Sequence, residues 1–572
     1  MSKLRRTSAV VLTVLSLLCE ANSAMADNPV VLVKDGQANA LIVVPENTEK
    51  SVTEAAEACR SLIEQITGAR LPIQDETQDI GSETVILVGQ SELAKRLGVD
   101  VPQDVNGPEH YTIRTIQQGA RQYLALVGND EWHFNRGSAF AVYDLFWRLG
   151  CGWYAPDDLW HVVPKRKTLS VDPIDDFQSP AFEKRSLWLR SHDRSIIRYA
   201  WRLDGREVVI GHNLGRLVPV KEYPQYYDPN NPGNPSMTHP EVIGIIVEKF
   251  RKQLDESTAP PDYRVPLSLT AADTDRFYRH PDAPKVGNIS AELMYMTNAV
   301  ARELQKSHPN RFLIGNLAYW VTHGPPRPMI KAEPGVTLMI VNEGNHTKPL
   351  EYPIVHKRRH PGRSNHRVNT NFRHWQETGA MEGIYEWWLP GINGNIWGKL
   401  PWFSMYTAAQ NLELWHRKGV KYMLYEAWAE TEPDFFSLRW PTYYVAARCM
   451  WDVGLTHEEI MTDTCRHLYG PAASEMWKYY NTVEKAMLDC PQPTGNWGFP
   501  SVTGVFTPEY EAMAEEHIQK ATELARQDGD PVIVARVANQ QKFWSQARQI
   551  IAGQRTPRGK NDAASPPRDA TP

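Results

Sequence analysis

The first part of the chain mixes two hydrophobic spacings. Short apolar runs at residues 41–44, 85–88 and 123–127 predict strands. Residues 51–67 carry Ala55, Ala58, Leu62, Ile63 and Ile66 at helical intervals and stop at Gly68. Residues 137–149 do the same with Ala141, Leu145 and Leu149 before Gly150. Residues 27–175 therefore read as one α/β domain.

From Arg185 onward the pattern changes to apolar runs that end on polar or acidic residues, each followed by a loop and an amphipathic stretch. Strands are predicted at 186–190, 208–212, 265–273, 312–320, 337–343, 383–388 and 422–428, with 438–444 as a candidate eighth. Helical spacing at 292–307 and 406–418 falls between them. Seven or eight strands over this length predict a (β/α)8 TIM-type barrel across 180–455. A doubly wound sheet is the weaker alternative, because its glycine-rich phosphate fingerprint is absent. Residues 456–555 read as a helical region, with long helices at 509–526 and 531–551 separated by Asp528, Gly529 and Asp530. The tail 556–572, rich in proline and charge, is predicted to be disordered. The expected class is α/β, in three folded parts.

Residues 1–26 have the layout of an export signal: Lys3, Arg5 and Arg6, an apolar run at 9–18, and Ala24, Met25 and Ala26 as a small-x-small cleavage site. Cys19 follows Leu18, where a lipid-anchoring signal needs a small residue. No later run approaches the roughly 18 apolar residues of a membrane span. The expectation is an exported protein, periplasmic or extracellular.

Composition narrows the chemistry. With 572 residues, 42% hydrophobic content and a net charge of -5, the chain can bury large cores and carries no basic field for phosphate neutralisation. Nucleic acid is not an expected partner. Beyond Cys19 there are five cysteines with no C-x-x-C spacing, which excludes a zinc ribbon and predicts mostly buried thiols, with at most a single disulfide. Tryptophan is abundant, 19 against 15 phenylalanines, and nine of them fall between Trp375 and Trp451.

In a barrel, residues at the carboxyl ends of strands converge on one face. Asp273, Glu343, Glu386 and Glu426 all occupy such ends, and burying a carboxylate there is costly unless it is paired or used. Aromatic residues accompany them: Trp387 and Trp388 beside Glu386, Tyr425 and Trp428 around Glu426, and Tyr319 and Trp320 at the end of another strand. Two carboxyl groups plus rings that hold the apolar face of a sugar are what glycoside hydrolysis requires. Asn342 before Glu343 resembles the Asn-Glu pair with which many barrel glycosidases present their acid. The catalytic candidates are Glu426 as nucleophile or base, Glu343 as acid, and Glu386 as sugar ligand or reserve. The binding candidates are Arg190, His212, Asn213, Asp273, Tyr319, Asn342, Trp387, Trp388, Tyr425 and Trp428. Residues 356–374 hold six lysines and arginines and no acid, which would suit an anionic sugar if they fold over the site. With no H-E-x-x-H, G-x-S-x-G or Walker motif, no cofactor and no metal are expected. The alternatives are a non-catalytic glycan-binding protein on a degenerate barrel and a scaffold whose barrel face binds protein.

Residues 137–156, running through Asp144, Trp147, Cys151, Trp153 and Pro156 and followed by Val162, Val163 and Pro164, resemble the end of the accessory α/β domain that precedes the barrel in α-glucuronidases and family 20 hexosaminidases. In particular they are similar to the bacterial domain-of-unknown-function family 4838. Gly211-His212, Asn316 to Tyr319 with Pro325-Pro326, Gly419 to Lys421 before Glu426, Tyr443 to Arg448 before Asp452, and Leu468 to Gly470 with Ala472 follow in that family's order. The resemblance spans about residues 30–490. It implies an exported (β/α)8 glycoside hydrolase. Some relatives are assigned to glycoside hydrolase family 163, which act as endo-β-N-acetylglucosaminidases; substrate identity does not carry over from the resemblance, and a β-N-acetylglucosaminide and an anionic glycan are the candidates. Many members carry a cysteine cluster where this chain has Thr274 to His280, so a metal or disulfide role of that loop does not carry over.

Overall fold

The computed structural model describes residues 24–132, 135–188, 194–344, 346–351, 361–387, 396–426, 437–492 and 499–555. The first part is built on β1 (Leu41–Val44), α1 (Lys50–Thr67), β2 (Thr84–Val88), β3 (Tyr111–Gln118), β4 (Arg121–Gly128) and α2 (Gly137–Arg148). β1, β2 and β4 are parallel neighbours, and β3 pairs antiparallel to β4. α1 ends as its spacing predicts: Gly68 takes a left-handed φ of 81° and its N–H reaches back to the Glu64 carbonyl. β3 is missing from the sequence reading because Thr112, Arg114, Gln117 and Gln118 interrupt its apolar run. Ala24 and Met25 pair with Gln117 and Ile116 of β3, and Ala26 beside them is fully buried.

The second sheet holds β5 (Lys184–Leu187), β6 (Val265–Ser268), β7 (Phe312–Ala318), β8 (Val336–Asn342), β9 (Met381–Trp387) and β10 (Tyr422–Glu426). They lie in the order β5-β10-β9-β8-β7-β6, all parallel, and Asp204–Gly205 adds a short antiparallel strand on the free edge of β5. The result is a curled seven-stranded sheet, a half-barrel in place of the expected closed ring of eight. Five of the expected strands recur within two residues of their predicted starts: β5, β7, β8, β9 and β10. The sixth, β6, starts where expected and stops after Ser268.

Two expected strands are not strands. Residues 208–212 form an irregular segment that runs across the inner face of β7. A side chain on Gly315 would sit 2.4 Å from the Val209 carbonyl oxygen, so glycine is what permits this close approach. The apolar run specifies burial here and not pairing. Residues 438–444 enter a helix, α7 in chain order, at Trp440–Trp451, with Pro441 in its first turn. Every residue of that helix except Arg448 is buried, and a fully buried helix reads in sequence like a buried strand.

Helices α3 (Pro240–Asp255), α4 (Ile289–Ser307), α5 (Pro361–Gln376) and α6 (Met405–Arg417) stand between the strands, and α7 follows β10. The long helices α8 (His457–Tyr469), α9 (Ala473–Asp489), α10 (Pro508–Asp528) and α11 (Pro531–Arg555) form the helical region, α10 ending at Gly529 with φ 81°. Two buried cations tie the parts together. Arg185 of β5 donates to Glu109 Oε2 at 2.9 Å, both side chains being fully buried. Arg536 of α11 donates to the Leu159, His161 and Leu468 carbonyls. The described cysteines are all buried thiols. Among the described residues no helix is long and apolar enough to cross a membrane.

Candidate functional site

Alternation along the parallel strands decides which strand-end residues can meet. Register places Trp387 of β9 beside Glu426 of β10, and Tyr385 beside Leu424. Val208, Leu313, Leu317, Met339, Val341, Tyr385, Tyr422 and Leu424 pack together on the inner face, with Trp188, Ile210, Tyr319 and Trp387 against them. Above this packing, at the carboxyl ends of the strands, opens a cavity of about 370 Å³. Its wall is largely aromatic, from Trp188, Tyr319, Tyr385 and Trp387, and its polar groups are His212, Asp273 and Glu426. Trp188 meets Tyr385 edge-on with centroids 5.8 Å apart, and Tyr319 meets Trp387 the same way at 5.9 Å.

Each polar group is held by its neighbours. Glu426, 7% exposed, accepts the Tyr385 hydroxyl on Oε2 at 2.7 Å. Burial, followed by the Glu426 carboxylate, raises Tyr385 far above the usual tyrosine range, so its hydroxyl remains a donor. Burial also raises Tyr319, reinforced by the carboxylates of Asp273, Glu343 and Glu426 and by its hydrogen bond to Asp273. Nδ1 of His212 donates to the Ala271 carbonyl at 2.9 Å, which in the neutral ring leaves Nε2 as an acceptor.

Glu343 follows β8 beside this cavity, and both of its oxygens are engaged. Oε1 accepts the Trp320 backbone N–H at 2.8 Å, and Oε2 takes the Arg367 guanidinium at 2.7 Å. The basic stretch read in the sequence thus contributes Arg367, on α5, as the partner of Glu343; its residues 356–360 lie outside the described residues. Beneath them His323 is buried, donating from Nε2 to the Val341 carbonyl and accepting from Asn371 at Nδ1. Burial lowers its pKa, consistent with a neutral ring that fastens α5 to β8.

Several expected site residues face the other way. Asn342, Glu386 and Tyr425 form one row across three adjacent strands, on the side that meets the helices. Glu386 is fully buried there; its Oε2 accepts from Asn342 Nδ2 at 2.8 Å and its Oε1 from Trp415 Nε1 of α6 at 3.2 Å. These three residues do not reach the cavity, because a one-residue change along a strand turns the side chain to the opposite face. Asn213 is likewise outside it: its amide donates to the Ser268 carbonyl at 2.6 Å and accepts from the Thr270 N–H at 3.1 Å. Arg190, Trp388 and Trp428 lie outside the described residues. Sequence reasoning missed Trp188, Ile210 and Tyr385; for Tyr385 the parity with Trp387 was the available signal. Most of the tryptophans clustered late in the chain, including Trp375, Trp397, Trp415, Trp440 and Trp451, are core residues.

In fold the chain resembles a family GH115 4-O-methyl-α-glucuronidase with specificity for decorated arabinogalactans, at 12% identity and a TM-score of 0.54, over 92% of this chain and 76% of that one. A Streptomyces plicatus β-hexosaminidase, in complex with its product GlcNAc, is 10% identical with a TM-score of 0.41, over 78% of this chain and 92% of its own. No curated protein matches the chain. At 12% identity the first likeness shows a glycoside-hydrolase-like fold and nothing of the chemistry. The family described as Domain of unknown function (DUF4838) matches residues 153–482, which take in the whole half-barrel and more than half of the chain. The protein is a member of the DUF4838 family.

Proposed function

We propose that the protein is a glycoside hydrolase acting on an oligo- or polysaccharide in the cavity at the carboxyl ends of the half-barrel strands, with Asp273 and Glu426 as its two carboxyl groups. The observation that carries this reading is that both carboxyls, Glu426 buried and Asp273 exposed, line one cavity with His212 and the rings of Trp188, Tyr319, Tyr385 and Trp387. Aromatic walls hold the apolar face of a pyranose, and two carboxyls supply the acid and the nucleophile or base. Tyrosine hydroxyls bond both carboxyls, Tyr385 to Glu426 and Tyr319 to Asp273; Glu426 takes the second role because it is buried and fixed, while Asp273 is exposed and within reach of solvent for proton exchange. The acid role moves from Glu343 to Asp273. Both Glu343 oxygens are engaged, one by a backbone N–H and one by a guanidinium, which leaves neither free to reach a leaving group. Export, as read from residues 1–26, would put the substrate outside the cytoplasm.

The test is turnover by the wild type, Glu426→Gln and Asp273→Asn on a panel of β-N-acetylglucosaminides, uronic-acid glycans and neutral oligosaccharides, with circular dichroism to confirm the fold. Each variant should lose about 10²–10⁴-fold in kcat. Wild-type turnover in both variants would sink the assignment. The Glu343–Arg367 pair favours a second reading, glycan binding without cleavage, which the same panel would reveal as binding with no product.

A further inference from the structure

Next to the cavity lies a narrow cleft that shares His212, Leu317 and Tyr319 with it and continues to Thr270, Phe277 and Trp320. Trp320 is unusual in two independent ways. The residue is 49% exposed, although burying so large an apolar surface is favourable. Its backbone has a φ of 49°, a left-handed conformation that a bulky residue adopts only when its surroundings impose it. Its N–H donates to Glu343 Oε1 while Arg367 holds Oε2, and the Tyr319, Thr322 and His323 bonds close the short turn that contains it. The ring lies beside Tyr319 of the cavity wall, with centroids 6.5 Å apart. Strain spent to keep a large flat ring in solvent, at the end of a cleft continuous with the cavity, has no packing purpose.

We propose that Trp320 is a second sugar-stacking platform, so that the protein takes a glycan of at least two units, one in the cavity and the next across the exposed indole. This rests on the glycan reading above. Glu343 is then a positioning residue, since it holds the N–H of the backbone that presents the ring.

The test is binding by calorimetry in a Glu426→Gln background, which removes turnover. The probes are β-linked N-acetylglucosamine oligomers and glucuronic-acid-terminated oligosaccharides, each of one to four units. Affinity should rise about tenfold from one unit to two. Trp320→Ala should remove that gain and Trp320→Phe should keep most of it. Glu343→Ala should reduce the gain, with Glu343→Gln restoring it because the amide oxygen still accepts the Trp320 N–H. The melting temperature of Trp320→Gly should match or exceed the parent's, because glycine is at ease at this φ. A gain that survives in Trp320→Ala, no gain in a parent that binds one unit, or a clearly lower melting temperature in Trp320→Gly would each overturn the platform alone. Failure of the parent to bind any probe would overturn the glycan reading as well.

Discussion

Tyr385 and Glu426 sit diagonally across two adjacent parallel strands, and the tyrosine hydroxyl donates to the carboxylate at 2.7 Å. Because burial and Glu426 raise the tyrosine far above its ordinary range, it donates throughout the working pH range. Tyr385→Phe should therefore lower kcat/KM by about 10–100-fold, the cost of a hydrogen bond to a charged group. Steady-state kinetics on a cleaved glycan would measure it, and an unchanged rate would remove Tyr385 from the machinery.

Glu386 should behave in the opposite manner. Glu386→Gln leaves Asn342 and Trp415 with a weakened acceptor in the core, a loss of about 1–3 kcal/mol of stability. Urea denaturation would read that loss, while kcat per folded molecule should stay near the wild type. A thousandfold fall in kcat would return Glu386 to the list of catalytic groups.

Glu484, on α9, reaches the start of α6, where its Oε1 accepts the Tyr406 N–H at 2.8 Å. Burial pushes its carboxyl up to about 8 from the ordinary 4.5. Between those values the folded chain holds a proton that the unfolded chain releases, so this group makes stability fall as pH rises through the window. Glu484→Gln should flatten that slope. Thermal melts at pH 5 and pH 8.5 should show little difference from wild type at the lower pH and a more stable variant at the higher.

The buried pair of Glu109 and Arg185 joins the first α/β part to the half-barrel, and Arg185 also donates to the carbonyls of Phe182 and Arg202. Arg185→Met should cost about 3–5 kcal/mol, because it strands a carboxylate in the core. Combining it with Glu109→Gln should recover part of the loss. A double-mutant cycle by equilibrium denaturation reads the coupling, and strictly additive effects would show that the pair does not act as a unit.

Much of this architecture was legible in the sequence. The 3.6-residue spacing located α1, α2, α4, α6, α10 and α11, and polar residues closing apolar runs located most half-barrel strands and singled out Glu426, Asp273, Tyr319, Trp387 and His212. What the sequence could not show was which face each residue takes. β9 and β10 are buried on both sides, so their pattern has no polar-apolar alternation to mark the inner face. Glu386 and Glu426 look equivalent as strand-end glutamates, yet register turns the first toward α6 and the second into the cavity. The same loss of contrast made the buried helix α7 read as a strand. Glu343 reads in sequence as one more strand-end acid, and its engagement by Arg367 depends on a helix whose position no local pattern encodes.

Asn213 has a consequence larger than its size. The segment that brings Ile210 and His212 to the cavity pairs with no strand among the described residues, and is fixed to the end of β6 and the residues after it by the Asn213 amide on Ser268 and Thr270, by His212 on the Ala271 carbonyl and by the Leu214 N–H on the Thr270 carbonyl. Sheet integrity and the shape of that wall are therefore set by different atoms. A chain built this way can reshape one side of its binding space by altering a few residues around position 210 while every strand stays in register, which separates what the protein recognises from what keeps it folded.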